Sequence, residues 1–218
     1  MSNDDHLQRA VLAELNWEPG VTAAHIGVAA DADAGAVTLT GHVETFAEKH
    51  AAEAAALRVK GVQAVADELE VRLSPETRRT DEAIAAAAVE RLAWDVSVPE
   101  DAVQVLVEDG WVTLSGEIDW HYQRAAAEQD VQRLHGVVGV NNLITIKSTV
   151  QPSDISDEIM HALHRSWFFD PKTIDVSAEG GTVRLTGTVH STHERQVAAA
   201  AAWSAPGVTE VENDIVIV

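Results

Sequence analysis

The chain has 218 residues, 46% of them apolar and 23% charged, a composition that supplies a core and excludes a disordered polymer. Fifteen Lys and Arg against thirty-five Asp and Glu leave a formal charge of −20, which opposes nucleic-acid phosphates and anionic lipid. There is no cysteine, so disulfide and thiol chemistry are excluded.

The charge is spread evenly along the chain, with no acidic tail and no basic segment. No run approaches the roughly 18 apolar residues of a membrane span. The N-terminal MSNDDHLQRA has neither the cationic start nor the apolar core of a secretory signal, so a soluble, cytoplasmic protein is expected.

The first predicted element is a helix through HLQRAVLAELNW, in which Leu7, Val11 and Leu15 recur at four-residue steps. A strand starts at Ile26. After a turn, a second strand, VTLTG from Val37 to Gly41, points Val and Leu one way and Thr the other, as a hairpin covered on one side would. Thr45 and Glu48 have the spacing of a capping box and open a second, alanine-rich helix, AAEAAAL. That helix is expected to end at Gly61-Val62, and a closing strand, VADELEV, follows from Val65.

The same order then recurs twice. VTLSG ends at Gly116 and VRLTG at Gly187, intervals of 75 and 71 residues from Gly41 and from one another. A Gly-Val pair follows each of these glycines after twenty residues, at Gly61, Gly136 and Gly207. Each first helix has its counterpart in DEAIAAAAVERLAW and DEIMHALHRSWFF. Val103, Val105 and Val107 share one strand face, as do Ile174, Val176 and Ala178. Ser191 and Glu194 repeat the capping box. In the middle copy Trp120 takes the cap position, and Asp119 is expected to cap in its place.

Three landmarks in one order three times establish an internal repeat, and a period near seventy residues makes each unit a small domain. The expected division is 1–73, 80–147 and 153–218, joined by short polar linkers at 74–79 and 148–152. The fold class is α+β: three tandem αββαβ units, each a small three-stranded mixed sheet with two helices on one face. Gly41, Gly116 and Gly187 are expected to let the chain leave the sheet, and Gly61, Gly136 and Gly207 to close the second helices.

The V-x-L-x-G strand, the helix of about twenty residues, the Gly-Val pair and a closing V-x-N-x-I together resemble the BON domain, in all three units. The third copy carries the last motif as Val211, Asn213 and Ile215, the first has Asp67 at the asparagine position, and the second, VNNL, reads as one residue shorter. The resemblance implies the αββαβ fold and proteins associated with osmotic or envelope stress. Many of these are periplasmic, with a proposed role at phospholipid or envelope surfaces and no catalytic motif.

Nothing in the residues themselves marks an enzyme, a metal or a cofactor. His190, His193 and Glu194 group in HSTHE, but the order matches neither zinc-helix signature, and Glu194 is expected in the helix cap. His161 and His164 lie three apart with no third ligand in view. Trp17 and Trp94 close equivalent first helices, where packing against a sheet or domain edge is expected; Trp167 stands near a similar place.

Trp111 in the middle hairpin, and Trp120, His121 and Tyr122 at the next helix start, are harder to bury and form the candidate binding surface. Packing between neighbouring units is the alternative use for them. The expected function is a binding or scaffold protein, with protein-protein interaction favoured and phospholipid or membrane-surface binding through aromatics as the alternative. An enzyme is left as a remainder. No cofactor and no nucleic-acid partner are expected; the partner is an unknown protein or an envelope surface, with packing among the three units.

Overall fold

The computed structural model describes residues 2–147, 152–165 and 173–217. The first repeat contains α1 (Asn3–Trp17), β1 (Ile26–Asp31), β2 (Ala36–Val43), α2 (Phe46–Leu57) and β3 (Ala64–Val71). The second contains α3 (Asp81–Trp94), β4 (Val103–Glu108), β5 (Trp111–Ile118), α4 (His121–Gln132) and β6 (Gly139–Ile146). The third contains α5 (Pro152–Arg165), β7 (Ile174–Glu179), β8 (Thr182–Val189), α6 (Thr192–Trp203) and β9 (Glu210–Ile217). The fold is therefore α+β, with one αββαβ unit three times.

Each sheet has three strands, with the V-x-L-x-G strand in the middle: β1-β2-β3, β4-β5-β6 and β7-β8-β9. β1 runs antiparallel to β2 and β3 parallel to it, and β7, β8 and β9 repeat this arrangement. A parallel neighbour needs a crossover, and the second helix of each unit supplies it. The chain divides into two compact units, Met1–Glu90 with Leu106–Thr113 and Asp130–Asn141, and Arg91–Val105 with Leu114–Gln129 and Asn142–Val218. The first repeat falls wholly in the former and the third wholly in the latter.

In the first repeat, Leu7, Val11 and Leu15 from α1 meet Val37, Leu39 and Val43 from β2 and Ala52, Ala55 and Ala56 from α2. The alanines let α2 lie close to the sheet. In the third repeat, Ile155, Ile159 and Leu163 of α5 and Ala198 and Ala202 of α6 cover Val183, Leu185 and Val189 in the same way. Full burial of Leu15, Leu39 or Leu185 makes truncation to alanine cost about 2–5 kcal/mol.

Two expectations about glycine need correction. Gly41, Gly116 and Gly187 lie inside their strands, since β2, β5 and β8 each run two residues further. Their φ values of +116, +138 and +128 are left-handed. A Cβ at these sites would fall on the carbonyl oxygen of His25, Ala102 or Thr173, so close backbone approach, rather than an exit from the sheet, demands glycine. Gly61, Gly136 and Gly207 stand four residues past the last residues of α2, α4 and α6, Leu57, Gln132 and Trp203. They serve the turn after the helix rather than its end; in the first repeat the Val62 N–H donates to the Val59 carbonyl at 3.1 Å.

Candidate functional site

The candidate surface begins where β5 hands the chain to α4. In the first and third repeats this junction is capped by a hydroxyl: Thr45 Oγ1 accepts from the Glu48 N–H at 3.1 Å, and Ser191 Oγ from the Glu194 N–H at 3.2 Å. The carboxylates reach back one residue beyond the cap, Glu48 to the Glu44 N–H at 2.9 Å and Glu194 to the His190 N–H at 2.9 Å. Glu48 also accepts from the Thr22 N–H at 2.7 Å, which ties the junction to the loop before β1.

The middle repeat solves the same problem without a hydroxyl. Gln123, at the position of Glu48 and Glu194, accepts through Oε1 from the Asp119 N–H at 3.2 Å and from the Trp120 N–H at 3.1 Å. The Asp119 carboxylate, expected to cap, lies 3.9 Å from Lys147 Nζ instead. The N–H that a hydroxyl would accept, that of Gln123, donates to the Trp120 carbonyl at 3.1 Å, so the cap position is open to a large side chain, and Trp120, His121 and Tyr122 follow one another at the mouth of α4.

A second set of bonds fixes α4 to β6. The Arg124 guanidinium donates to the Asn142 carbonyl at 3.3 Å, and Asn142 Nδ2 donates to the Arg124 carbonyl at 3.2 Å and to Glu128 Oε2 at 2.9 Å. Arg195 and Asn213 make the same reciprocal pair at 3.0 and 3.2 Å. In the first repeat Lys49 and Asp67 replace them, with Lys49 Nζ 3.3 Å from the Asp67 carboxylate and donating to the Leu69 carbonyl at 2.6 Å. Asn142 thus occupies the asparagine position in full, six residues past Gly136 as Asn213 is past Gly207; the second repeat is not one residue shorter.

Within the compact unit that holds residues 114–129 and 142–218, the start of α4 meets the end of α6. The His121 and Trp203 rings stack with centroids 3.9 Å apart at 22°. Trp120 and Tyr122 sit 6.5 Å apart at 35°. The four rings line a groove of ≈ 880 Å³, floored by Ala125, Ala126, Ala199 and Ala200 and edged by Gln129 and Gln196. Burial pushes the His121 imidazole below its ordinary pKa, the Arg124 charge adds to this, and the Glu128 carboxylate opposes it. Burial therefore disfavours a charge on His121, and no Asp, Glu, Lys or Arg lines the groove.

Trp203 is the ring that sequence reasoning missed. Its signal was the run VAAAAAW, in which a bulky residue ends a small-residue helix face. Trp111 does not join the groove. It opens β5, at the opposite end of that strand from Trp120, and lays its ring on Gly139, where a Cβ would collide with it. The ring is half-exposed, at 48%.

The two tryptophans expected to pack are outside any core. Trp17 is 83% exposed and Trp94 79%, because each is the last residue of its helix and falls off the buried stripe set by Leu7, Val11 and Leu15 or Ile84, Ala88 and Leu92. Trp167 lies outside the described residues. His190 and His193 are exposed, and no group of three metal-capable side chains converges among the described residues. His161 is exposed on α5, and the His164 side chain lies outside the described residues. No helix among the described residues is long and apolar enough to cross a membrane.

The BON domain family matches this chain over residues 3–72, 80–148 and 152–218, and the chain belongs to that family. A relative is the Osmotically-inducible protein Y of Escherichia coli (strain K12), 34% identical over 149 residues that span 66% of this chain and 73% of that protein. Two solved structures of CdsD, a structural protein of the type III secretion system of Chlamydia trachomatis, align at 17% and 18% identity. They cover 100% and 98% of this chain and 100% and 92% of theirs, each with a TM-score of 0.27.

Proposed function

We propose that the chain is a non-catalytic binding protein linked to osmotic stress, which holds a partner protein at the groove between α4 and α6. The observation that carries the reading is the convergence of Trp120, His121, Tyr122 and Trp203 on one uncharged groove. Aromatic side chains in a concave patch supply most of the affinity of protein interfaces, and the alanine floor leaves room for a partner's side chains. The osmotic link is supported by family membership and by the relative, whose printed name records osmotic induction.

A photo-activated cross-linker placed at Gln129 tests this reading in cells after an osmotic upshift. A discrete protein adduct, lost when Trp203→Ala is combined with it and missing from a cross-linker placed at Thr38 on the first sheet, is the expected result. Adducts with lipid alone, or none, sink it.

The exposure of Trp17 and Trp94 favours a second reading, attachment to a membrane surface. Tryptophan suits the interface between headgroups and water. A charge of −20 requires that such binding proceed by insertion into uncharged lipid or through a bridging divalent cation. Flotation with zwitterionic and anionic vesicles, with magnesium and with chelator, tests it: binding abolished in a Trp17→Ala, Trp94→Ala double variant supports the membrane reading, and no flotation in any condition removes it.

A further inference from the structure

We propose that the segment held in the α4–α6 groove is a cationic amphipathic peptide, whose apolar side chains fill the groove while its Lys or Arg side chains lie on the faces of Trp120 and Tyr122. This rests on the reading that the groove is a protein-binding site, and it names the chemistry of the occupant.

Charge and ring chemistry lead to this occupant. The whole chain carries −20, so its field draws in cations and repels anions before any contact is made. A second copy of the chain would bring another −20 to the same surface, which disfavours self-association. The groove itself holds neither a carboxylate to bind a cation as a salt bridge nor a cation to bind a carboxylate. Trp203 is stacked by His121 and packed on the third core, so what the groove offers a charged group is the negative faces of Trp120 and Tyr122, and such a face discriminates for ammonium and guanidinium. The side-chain carbonyls of Gln129 and Gln196, on the two edges, can accept from the same groups. The positive start of α4 and the negative end of α6 meet at His121 and Trp203, so the two helix dipoles offset one another and leave the rings and the net charge to decide. An uncharged apolar segment would pack on the floor and the rings but would gain nothing from cation–π attraction or from the long-range field.

Three synthetic peptides test the inference on the full chain, sharing one apolar helical face and differing only in carrying Lys, Gln or Glu on the other. Affinities are measured by calorimetry in about 50 mM and 150 mM salt, a range over which screening weakens only the long-range part. The Lys peptide is expected to bind roughly tenfold or more tightly than the Gln peptide, with the Glu peptide weakest. The advantage should shrink but survive in the higher salt. Tyr122→Ala, at an exposed position, and Trp203→Phe, which keeps a ring, guard against mistaking unfolding for lost binding. Tyr122→Ala is expected to cost the Lys peptide roughly threefold to tenfold and the Gln peptide less, and Trp203→Phe to retain most of the preference. Equal binding of the Lys and Gln peptides, both weakened by Tyr122→Ala, overturns the cationic occupant while leaving the groove a protein site. A Lys preference untouched by Tyr122→Ala places the binding elsewhere and overturns the proposal. No binding by any peptide overturns it and removes support for the groove as a protein site as well.

Discussion

The first and second repeats use one backbone for two purposes at the same place. Where β2 meets α2 the side chains are Thr45, Phe46 and Ala47, and the junction is a helix cap. Where β5 meets α4 they are Trp120, His121 and Tyr122, and the junction is one wall of a groove. Gln123 keeps the reach-back bonds that Glu48 and Glu194 make, and the N–H that a cap hydroxyl would accept, that of Gln123 itself, donates to the Trp120 carbonyl at 3.1 Å instead, so no hydroxyl is needed at the cap. A framework position thereby becomes available for recognition without loss of helix start.

The strongest test of that shared framework is Gly116→Ala beside Gly41→Ala. Both place a Cβ on a backbone carbonyl oxygen at positive φ, and each is expected to destabilise by about 3 kcal/mol or more in urea unfolding. A cost at Gly116 below about 1 kcal/mol would break the equivalence of the repeats.

Next comes the Trp111 and Gly139 pair. Gly139→Ala is expected to cost about 1–3 kcal/mol because the indole must move, with a red shift in tryptophan emission as it becomes more exposed. Adding Trp111→Ala recreates the Ala36 and Ala64 pair of the first repeat and should recover most of that loss. Strict additivity of the two changes would show that the contact carries no energy.

Removing the substituted cap is a smaller perturbation. Gln123→Ala should cost about 1 kcal/mol, whereas Gln123→Glu, which copies Glu48 and Glu194, should cost nothing measurable by thermal unfolding. Loss of stability in both variants would mean that the side chain matters for some contact other than the cap.

The smallest effect concerns His121. Its folded-state pKa lies below the 6.5 of the free side chain, chiefly through burial. The unfolded chain therefore takes up the proton first, and this contribution to stability, fully present above about pH 6.5, is lost as pH falls from there through the folded pKa. His121→Phe, matching Phe46, should flatten the melting temperature of the groove-bearing unit across that window. An unchanged pH profile would show that His121 is not the group responsible.

The repeats, the strand order and the buried faces were legible because V-x-L-x-G and the four-residue steps of α1 record them directly. Leu7, Val11 and Leu15 could be assigned to a core from spacing alone. Trp17 and Trp94 could not, because a helix-terminal residue has no periodic partner to say which way it faces. Trp120, His121 and Tyr122 were readable as misfits at a cap, and Gln123 was readable too, since glutamine is an accepted third member of a capping box. Trp203 was readable only as the bulky end of VAAAAAW and not as a groove ring, because the stack with His121 joins residues 82 positions apart.

The cross-strand pair facing the hairpin turn differs in every repeat: Ala36 with Ala64, Trp111 with Gly139, Thr182 with Glu210. Large meets none, small meets small, and the Thr182 hydroxyl donates to the Glu210 carboxylate at 3.3 Å. While the chain folds, three central strands of one V-x-L-x-G pattern can meet three closing strands, the situation in which tandem repeats cross-pair. Trp111 set against Ala64 meets a methyl group where its ring should lie, and against Glu210 a charge it would have to desolvate. Only the closing strand that presents glycine leaves room for the indole, so Trp111 biases the middle central strand toward its own partner.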